Sequence, residues 1–319
     1  MSLELPRADD LRILRSLCHF LARQHGNRSS LRELETWLRS ASGRATPWKR
    51  TRAYHYTSAA RELNLVQVTD AGTWKLTTYG RKLATCRGGS VRPDADLNEA
   101  EKALFRVLIP KYGAVRKYLA YYMPGGKRPT SVDDFVRRGR PIELVKSGRC
   151  QYAMRTASNR SVTIDRTRKG SYAWTLFNWL RTLGIIDDLY KEKPQSFLME
   201  ENEVRIFYPI RRTDLSVATL KNMLVAKAAV EGRRVTMLYL PGLLKDLCAN
   251  RGIPKHLFFR RLIELHQADP HHFHLEMMSS LRSDVRCKHY RYENFPVVEG
   301  IRRSHVCVLL DERNERKEK

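Results

Sequence analysis

The most constraining stretch of this chain is residues 65–84, LVQVTDAGTWKLTTYGRKLA, which has the pattern of a strand, a turn, a second strand and the start of a helix. Val66 and Val68 alternate with polar residues, an Asp-Ala-Gly turn follows, and Trp74 and Leu76 alternate again. Period-two alternation puts the two members of each pair on one face of their strand. Because so short a hairpin needs a buried face to persist, we predict that Trp74 is a core residue.

Three helical patterns precede this hairpin. Leucines recur at intervals of three and four within residues 9–26, and the next run opens with Ser30 and Glu33 at capping-box spacing. A third helix is predicted to begin with Thr46 as its N-cap, followed by a proline, and to end near Asn64. Its predicted core residues are Tyr54, Ala59, Ala60 and Leu63.

The other face of the third predicted helix is basic, with Lys49, Arg50, Arg52, His55 and Arg61. The order helix, helix, helix, hairpin, with this charge on the third helix, resembles the winged helix-turn-helix superfamily. Residues 76–83, Leu-Thr-Thr-Tyr-Gly-Arg-Lys-Leu, resemble the Leu-Thr-x-x-Gly step that closes the wing in such regulators. The resemblance covers residues 1–85. It implies that the third helix enters a DNA major groove and that the hairpin, with Lys75, contacts DNA backbone or minor groove.

The charge balance also favours a nucleic-acid partner. The 319 residues hold 59 Lys and Arg against 34 Asp and Glu, which gives a formal charge of +25 and a pI near 10.1. So large an excess indicates a polyanion as the partner, and the alternatives are an anionic membrane or a merely basic protein.

The 42% hydrophobic composition is enough for a sizeable core in two or three domains.

A second unit is predicted over residues 97–210, after a linker at 86–99 that is rich in Gly, Pro and Asp. Within it, TSVDDFVRR has the pattern of a capped short helix. A later helix is predicted to start with Ser171 as its cap and to stop at Gly184, ahead of the alternating segments SFLME and VRIFYPI. The predicted core of that helix is Trp174, Phe177, Leu180 and Leu183.

A third unit is predicted over residues 213–310, followed by a charged tail at 311–319. Its third helix has Pro254 in the first turn, and Phe258, Leu262 and Leu265 on an apolar face. Lys255, Arg260 and Arg261 lie elsewhere on its surface. We therefore predict an α+β, mainly α, chain of tandem winged-helix-like units, each a helical bundle with a short antiparallel hairpin.

A basic insertion is predicted at residues 137–169, as a loop or hairpin with ten Lys or Arg against Glu143 and Asp165. Such density is typical of phosphate contacts, and a solvated loop is the alternative. The candidate DNA-binding residues are Lys49, Arg50, Arg52, His55, Lys75, Arg137, Arg138, Arg140, Arg155, Arg160, Arg166, Arg168, Lys169, Lys255 and Arg260.

Motifs for nucleotide or metal chemistry are weak. Gly125-Gly126-Lys127 lacks the rest of a phosphate-binding loop, so no cofactor is expected. A metal-dependent nuclease needs carboxylates at a set spacing, and the nearest candidates do not have it: Asp187, Asp188, Glu192 and Lys193. We expect no catalytic residue.

Two further patterns leave alternatives open. Imidazole and thiolate groups are ligands that zinc accepts, and several such side chains occur close together in the sequence: His266, His271, His272, His274, Cys287 and His289. A polar turn at Pro270 explains this cluster more simply. Arg261 and His266 are spaced like the ribonuclease dyad of HEPN domains, which they resemble in residue type alone.

The sequence therefore predicts a non-catalytic protein that binds double-stranded DNA. It would act as a regulator, a replication-initiator-like protein or an accessory subunit of a DNA-processing or defence complex with protein partners. The alternatives are a nuclease, either a metal-dependent DNase or a HEPN-like RNase, and a protein-interaction scaffold built of winged helices. Without a signal peptide or an apolar span, we expect a cytoplasmic protein, associated with the nucleoid if bacterial or archaeal.

Overall fold

A computed structural model describes residues 8, 10–40, 50–88, 92–93, 95–146, 151–165, 170–191, 204–276 and 295–310. The chain divides into two compact units, Met1–Arg138 with Ile164–Ile186, and Gly139–Thr163 with Asp187–Lys319. Helices dominate over small antiparallel sheets, which confirms the α+β, mainly α, fold class. The division into domains at 1–85, 97–210 and 213–310 stays a prediction. Across the described ranges, no helix has the length and apolar character to span a bilayer.

The first part of unit 1 has the predicted helices and hairpin. Its elements are α1 (Leu11–Ala22), β1 (Arg28–Ser29), α2 (Leu31–Ser40), α3 (Arg50–Glu62), β2 (Val66–Val68), β3 (Trp74–Leu76) and α4 (Thr78–Thr85). The capping box at α2 is confirmed: Ser30 Oγ accepts from Glu33 N at 3.2 Å, and Glu33 Oε2 accepts from Ser30 N at 2.9 Å. The predicted N-cap of α3, Thr46, lies outside the described residues. The short strand β1 was not predicted, and it pairs with β3 to give the sheet order β1-β3-β2.

Burial corrects two side chains of the predicted core. Trp74, 8% exposed, is buried as predicted, together with Leu76 and Val66. Val68 is 43% exposed, because burial along β2 ends after its first residue and Val68 lies beside the turn. Tyr54 is 58% exposed while Tyr56 is fully buried. Residues two apart lie on opposite sides of a helix, so only one of these tyrosines can face the core.

Trp74 gives a test of the hairpin assignment. We expect Trp74→Ala to lower the free energy of unfolding by on the order of 3 kcal/mol, because it removes a large buried ring from a three-stranded sheet. Lys75→Ala, on the other face of β3, should leave stability unchanged. Urea denaturation of the two variants measures the difference. Equal stability of both variants would contradict the core role of Trp74.

The strand-to-helix step after the hairpin is held by a network around one backbone carbonyl. Leu65 O accepts from Thr77 N at 3.1 Å and from Thr77 Oγ1 at 3.1 Å, and Thr77 Oγ1 also accepts from Gly80 N at 3.1 Å as the N-cap of α4. A Cβ atom at Gly80 would lie 2.0 Å from Leu65 O. The Leu-Thr-x-x-Gly step thus has a steric reason, since helix α4 passes directly over the chain that enters β2.

The rest of unit 1 is helical: α5 (Glu99–Leu108), α6 (Gly113–Leu119), α7 (Val132–Arg138) and α8 (Gly170–Thr182). The predicted linker before α5 is held by Arg15, whose buried guanidinium donates to the carbonyls of Arg92 at 2.9 Å and Ala95 at 2.8 Å. Glu101 Oε2 lies 3.8 Å from the same guanidinium. The predicted short helix at 132–138 is confirmed, with Ser131 Oγ accepting from Asp134 N. The predicted cap Ser171 is wrong, because α8 begins one residue earlier.

A five-stranded sheet with the order β6-β5-β4-β8-β7 follows. Its strands are β4 (Ile142–Lys146), β5 (Gln151–Arg155), β6 (Ser161–Asp165), β7 (Ile186–Lys191) and β8 (Val204–Pro209). Within the basic insertion, residues 142–146, 151–155 and 161–165 are therefore strands of this sheet, and the prediction of a hairpin is correct for β5 and β6. The predicted strand SFLME lies outside the described residues, and β7 comes directly after α8 instead.

The remainder of unit 2 packs a helical cluster against a third sheet. Its elements are α9 (Val217–Ala229), β9 (Val235–Tyr239), α10 (Leu240–Leu243), α11 (Lys255–Ala268), β10 (Phe273–Glu276), β11 (Val297–Val298), β12 (Ile301–Arg302) and β13 (His305–Leu309). Helix α10 continues as a π-helix over Leu244–Ala249. The predicted core residues Phe258, Leu262 and Leu265 are buried in this cluster, which confirms them.

One strand order recurs along the chain. Three of the four sheets in the described residues contain the runs β1-β3-β2, β4-β8-β7 and β9-β13-β10, and the fourth pairs β11 with β12. In each run, the strand named first comes earliest in the sequence, and the strand named last comes second, after at least one helix. The strand named in the middle comes last in the sequence and pairs with both of the others. Strands β5 and β6 are an addition to the second run, on the far side of β4.

Candidate nucleic-acid interface

Helix α11 presents a polar, exposed face opposite its buried one. Its exposed side chains include His256, Arg260 and Gln267, which lie four and seven residues apart and therefore share one stripe of the helix. Arginine, glutamine and histidine are side chains that hydrogen-bond the edges of bases. The predicted residue Lys255 is half-buried at the first position of the helix, and its backbone N donates to Asp187 Oδ2 at 2.7 Å. The α11 face thus has the chemistry for reading a groove.

Helix α3 has a corresponding exposed stripe in unit 1. Tyr54 and Arg61 are exposed and Ser58 is half-buried between them, while Ala53 and Tyr56 face the core. The predicted residue His55 is half-buried, with its ring centroid 6.0 Å from that of Tyr54. Of the predicted contacts Arg50 and Arg52, the structure describes only the helical backbone, and Lys49 lies outside the described residues.

The hairpin beside α3 carries a polar row on its outer face. Lys75 of β3 is the cross-strand partner of Arg28 in β1 and of Gln67 in β2. Lys75 is half-buried and the other two are exposed. Trp74, next along β3, faces the opposite side, so this row is the solvent face of the sheet. A row of donors of this kind is suited to phosphate oxygens.

Helix α8 differs from α3 and α11. It follows β4 and precedes β7, the same place in its run that α3 and α11 hold in theirs. Over residues 175–180, all side chains except Asn178 are buried. Trp179 Nε1 donates to Ala8 O at 2.6 Å, and Leu183 O just beyond the helix accepts from Arg106 Nη2 at 2.6 Å. Because these side chains are buried, this part of α8 belongs to the core of unit 1.

The arginines of the basic insertion differ in their exposure and in whether they pair with an acidic side chain. Arg138 donates to Asp134 Oδ2 at 2.5 Å, and this bond, together with a backbone donor from Thr130, holds the pKa of Asp134 well below its ordinary value. Arg138 is thus bound to the end of α7. Arg137 is 78% exposed, although one of its nitrogens lies 3.5 Å from Asp134 Oδ1. Arg140, Arg155 and Arg160 are exposed, and Arg166, Arg168 and Lys169 lie outside the described residues.

The residues weighed for nuclease chemistry make structural contacts. Asp187 Oδ2 accepts from Tyr208 OH at 3.3 Å in addition to the backbone N of α11, and Asp188 forms a buried ion pair with Arg205 at 2.9 Å. Glu192 and Lys193 lie outside the described residues. The two aspartates therefore hold β7, β8 and the start of α11 together.

The Arg261 and His266 pair is also engaged in the fold. Arg261 Nε donates to Leu215 O at 2.7 Å and its Nη1 pairs with Glu264 at 2.5 Å, while His266 Nδ1 lies 3.0 Å from Phe273 O. Nearby, a hydrogen bond from His272 lowers the pKa of Asp269. In the part of the chain that the structure describes, no three His, Cys, Asp or Glu side chains form a group that could hold a metal. Cys287 and His289 lie outside that part.

Comparisons with known proteins give one structural likeness. No protein-family model matches the chain, and no curated protein matches it. The chain is similar to the solved structures of restriction endonuclease FokI, alone at a TM-score of 0.37 with 9% identity, and bound to DNA at 0.32 with 10% identity. The alignments cover 86% and 85% of this chain but 62% and 54% of those chains, so it spans less than two thirds of their length. At these scores the likeness assigns neither a fold nor a function.

Several residues of the interface were missed by the sequence reasoning. His256 and Gln267 of α11 are neither lysine nor arginine, so a search for clusters of those two residue types passes over them. Tyr54 was placed in the core, and Arg28 lies in a strand of two residues that shows no periodicity. The signal that would find the α11 pair is their helical spacing from Arg260, on the face that the apolar residues leave free.

Proposed function

We propose that this protein binds double-stranded DNA without catalysis and reads it through the exposed faces of α3 and α11. The observation that carries the proposal is the α11 stripe of His256, Arg260 and Gln267. In the sequence, α11 lies between β9 and β10 of a sheet whose strand order recurs along the chain. A helix with one buried face and one exposed polar face fits the major groove, which is wide enough to admit it.

Two features support a duplex as the partner. The formal charge of +25 provides attraction to phosphates, which is independent of sequence. Lys75 and Gln67 lie on the hairpin that follows α3, where the winged-helix resemblance places backbone or minor-groove contacts, and Arg28 of β1 extends their row on the same sheet. Membership of the winged-helix superfamily remains part of this proposal, and the recurring strand order supports it.

The test removes the reading face and keeps the fold. The triple variant His256→Ala, Arg260→Ala, Gln267→Ala should raise the Kd for a duplex selected by the wild-type protein by about a hundredfold, since each good base contact contributes on the order of 1–3 kcal/mol. Fluorescence anisotropy gives the Kd, and thermal unfolding checks the fold. Because all three side chains are exposed, little change in Tm is expected.

A matched control separates reading from charge. Arg233→Ala removes one exposed cation from the same unit, in the turn before β9, and should change the Kd by no more than about threefold. Equal effects of the control and of the triple variant would contradict a reading role for α11. Incubation of the duplex with the wild-type protein and Mg²⁺ tests the absence of catalysis, and cleavage of the strands would refute it.

A further inference from the structure

The hairpin formed by β5 and β6 lies outside the recurring strand order. The second sheet repeats that order in β4, β8 and β7, and β5 and β6 extend it beyond β4. From Leu144 to Ile164 the chain contains no Asp or Glu. The hairpin therefore has Asp165, at the end of β6 away from the turn, as its one acidic residue, and the strands near the turn carry no negative charge.

The tip of this hairpin is a slender turn that is closed by its own hydrogen bonds. Thr156 N donates to Arg160 O at 2.9 Å, Asn159 N donates to Thr156 O at 2.9 Å, and Arg160 N donates to Thr156 Oγ1 at 3.1 Å. Asn159 takes a φ of +58°, a left-handed conformation that asparagine tolerates better than most residues. Thr156 and the neighbouring Met154 are buried, which anchors the turn. The residues between Thr156 and Arg160 are Ala, Ser and Asn, so no bulky side chain caps the turn.

Two arginines flank this tip. Arg155 ends β5 and Arg160 precedes β6, and both side chains are exposed. Among the described residues, neither guanidinium makes a hydrogen bond or an ion pair, although Arg155 lies opposite Glu143 in the register of β4 and β5. The fold therefore presents two arginine side chains, five residues apart, from a turn that is fixed by its own hydrogen bonds.

We propose that the β5–β6 hairpin inserts Arg155 and Arg160 into the minor groove of the DNA, and thereby favours duplexes whose minor groove is narrow and lacks the guanine amino group. This inference rests on the proposed DNA binding. The minor groove is only about 6 Å wide, so it accepts side chains and a slender turn but excludes a helix. Its negative potential is strongest where it is narrow, as in A·T-rich tracts.

The residue type supports the minor groove over a simple phosphate contact. A guanidinium is planar and more weakly hydrated than an ammonium group, so it loses less hydration free energy on entering a narrow groove. Both flanking cations are arginine. Lysine keeps the charge for a phosphate contact, where it binds as a point charge, but lacks the flat, weakly hydrated group that a narrow groove accepts.

The test uses a pair of duplexes that differ only in the minor groove. Hypoxanthine presents the same N7 and O6 atoms to the major groove as guanine but lacks the amino group in the minor groove. The wild-type protein should bind a short I·C duplex about tenfold more tightly than the G·C duplex of the same sequence at equal salt. In the variant Arg155→Lys, Arg160→Lys, which keeps both charges, this ratio should fall below about twofold.

Each outcome separates this inference from the DNA proposal. If the lysine variant keeps the preference for the I·C duplex, or if the wild-type protein binds both duplexes about equally, the minor-groove role is wrong. Either result leaves DNA binding intact. If Arg155→Ala, Arg160→Ala weakens binding to both duplexes equally, the hairpin contacts phosphates and the inference is wrong. No binding of the wild-type protein to any duplex refutes the proposed function itself. Thermal unfolding of each variant confirms that the fold is unchanged.

Discussion

We expect the affinity of this protein for duplex DNA to fall by about a thousandfold when the salt concentration rises from about 50 to about 200 mM. The formal charge is +25, and exposed arginines occur on both units, among them Arg28, Arg61, Arg137, Arg140, Arg155, Arg160 and Arg260. A cation that contacts a phosphate releases a condensed counterion, so the logarithm of affinity falls linearly with the logarithm of salt. A decrease of this size corresponds to about six neutralised phosphates.

Anisotropy titrations at several salt concentrations give the slope directly. The double variant Arg28→Ala, Lys75→Ala removes two cations of the hairpin row and should lower the slope by about two, one for each lost phosphate contact. The exposed cation Arg233, in a turn of unit 2, gives the matched control, and its Ala variant should leave the slope unchanged. A salt response that is flat in the wild-type protein would contradict the DNA proposal.

The second large effect is on stability, at Gly80. Gly80→Ala should lower the free energy of unfolding by on the order of 3 kcal/mol or more, because the new Cβ would lie 2.0 Å from Leu65 O and 2.9 Å from Leu76 Cδ2. The carbonyl cannot move away freely, since it accepts from Thr77 N at 3.1 Å, and the Thr77 hydroxyl beside it is held by Asn64 O at 2.6 Å. Helix α4 must therefore shift and give up contacts with the core.

Urea denaturation followed by circular dichroism measures this loss. Gly113→Ala is the matched control in the same unit, because a Cβ atom there meets nothing within 4 Å and the glycine begins helix α6. That control should be neutral or slightly stabilising, since Ala has the higher helix propensity. Similar stability of the two variants would show that α4 does not pass over Leu65 as closely as described.

Local signals predicted the local structure. The capping box at Ser30 and Glu33, the alternation around Trp74 and the apolar stripe of α11 each depend on residues within a few positions of one another. Their physics is that of a single turn or a single strand face, so the sequence alone is sufficient. The basic candidates that the structure describes are mostly exposed for the same reason, because a charge needs a partner to be buried.

The choice between equivalent side chains was beyond the sequence. Tyr54 and Tyr56 have the same chemistry and lie on one helix, yet one is exposed on the candidate interface and the other is fully buried. Which of them faces inward depends on how α3 packs against α1 and α2, and these contacts join residues far apart in the chain. The same holds for α8, whose described part is packed although the helix has the same place in its run of strands as α3 and α11 have in theirs.

The sequence by itself determined the helix periods, the capping box of α2, the hairpin and the strong positive charge. Only the tertiary structure decided that β5 and β6 extend a sheet, that the strand order recurs, and that Arg15 is buried with its donors on carbonyls about eighty residues away. Those carbonyls accept from Nη1 and Nη2, and Glu101 places an opposite charge 3.8 Å away, which offsets part of the cost of burial, although Nε has no hydrogen-bond partner among the described residues. Such partners are brought together by chain folding over long separations, and no pattern within a short window encodes them.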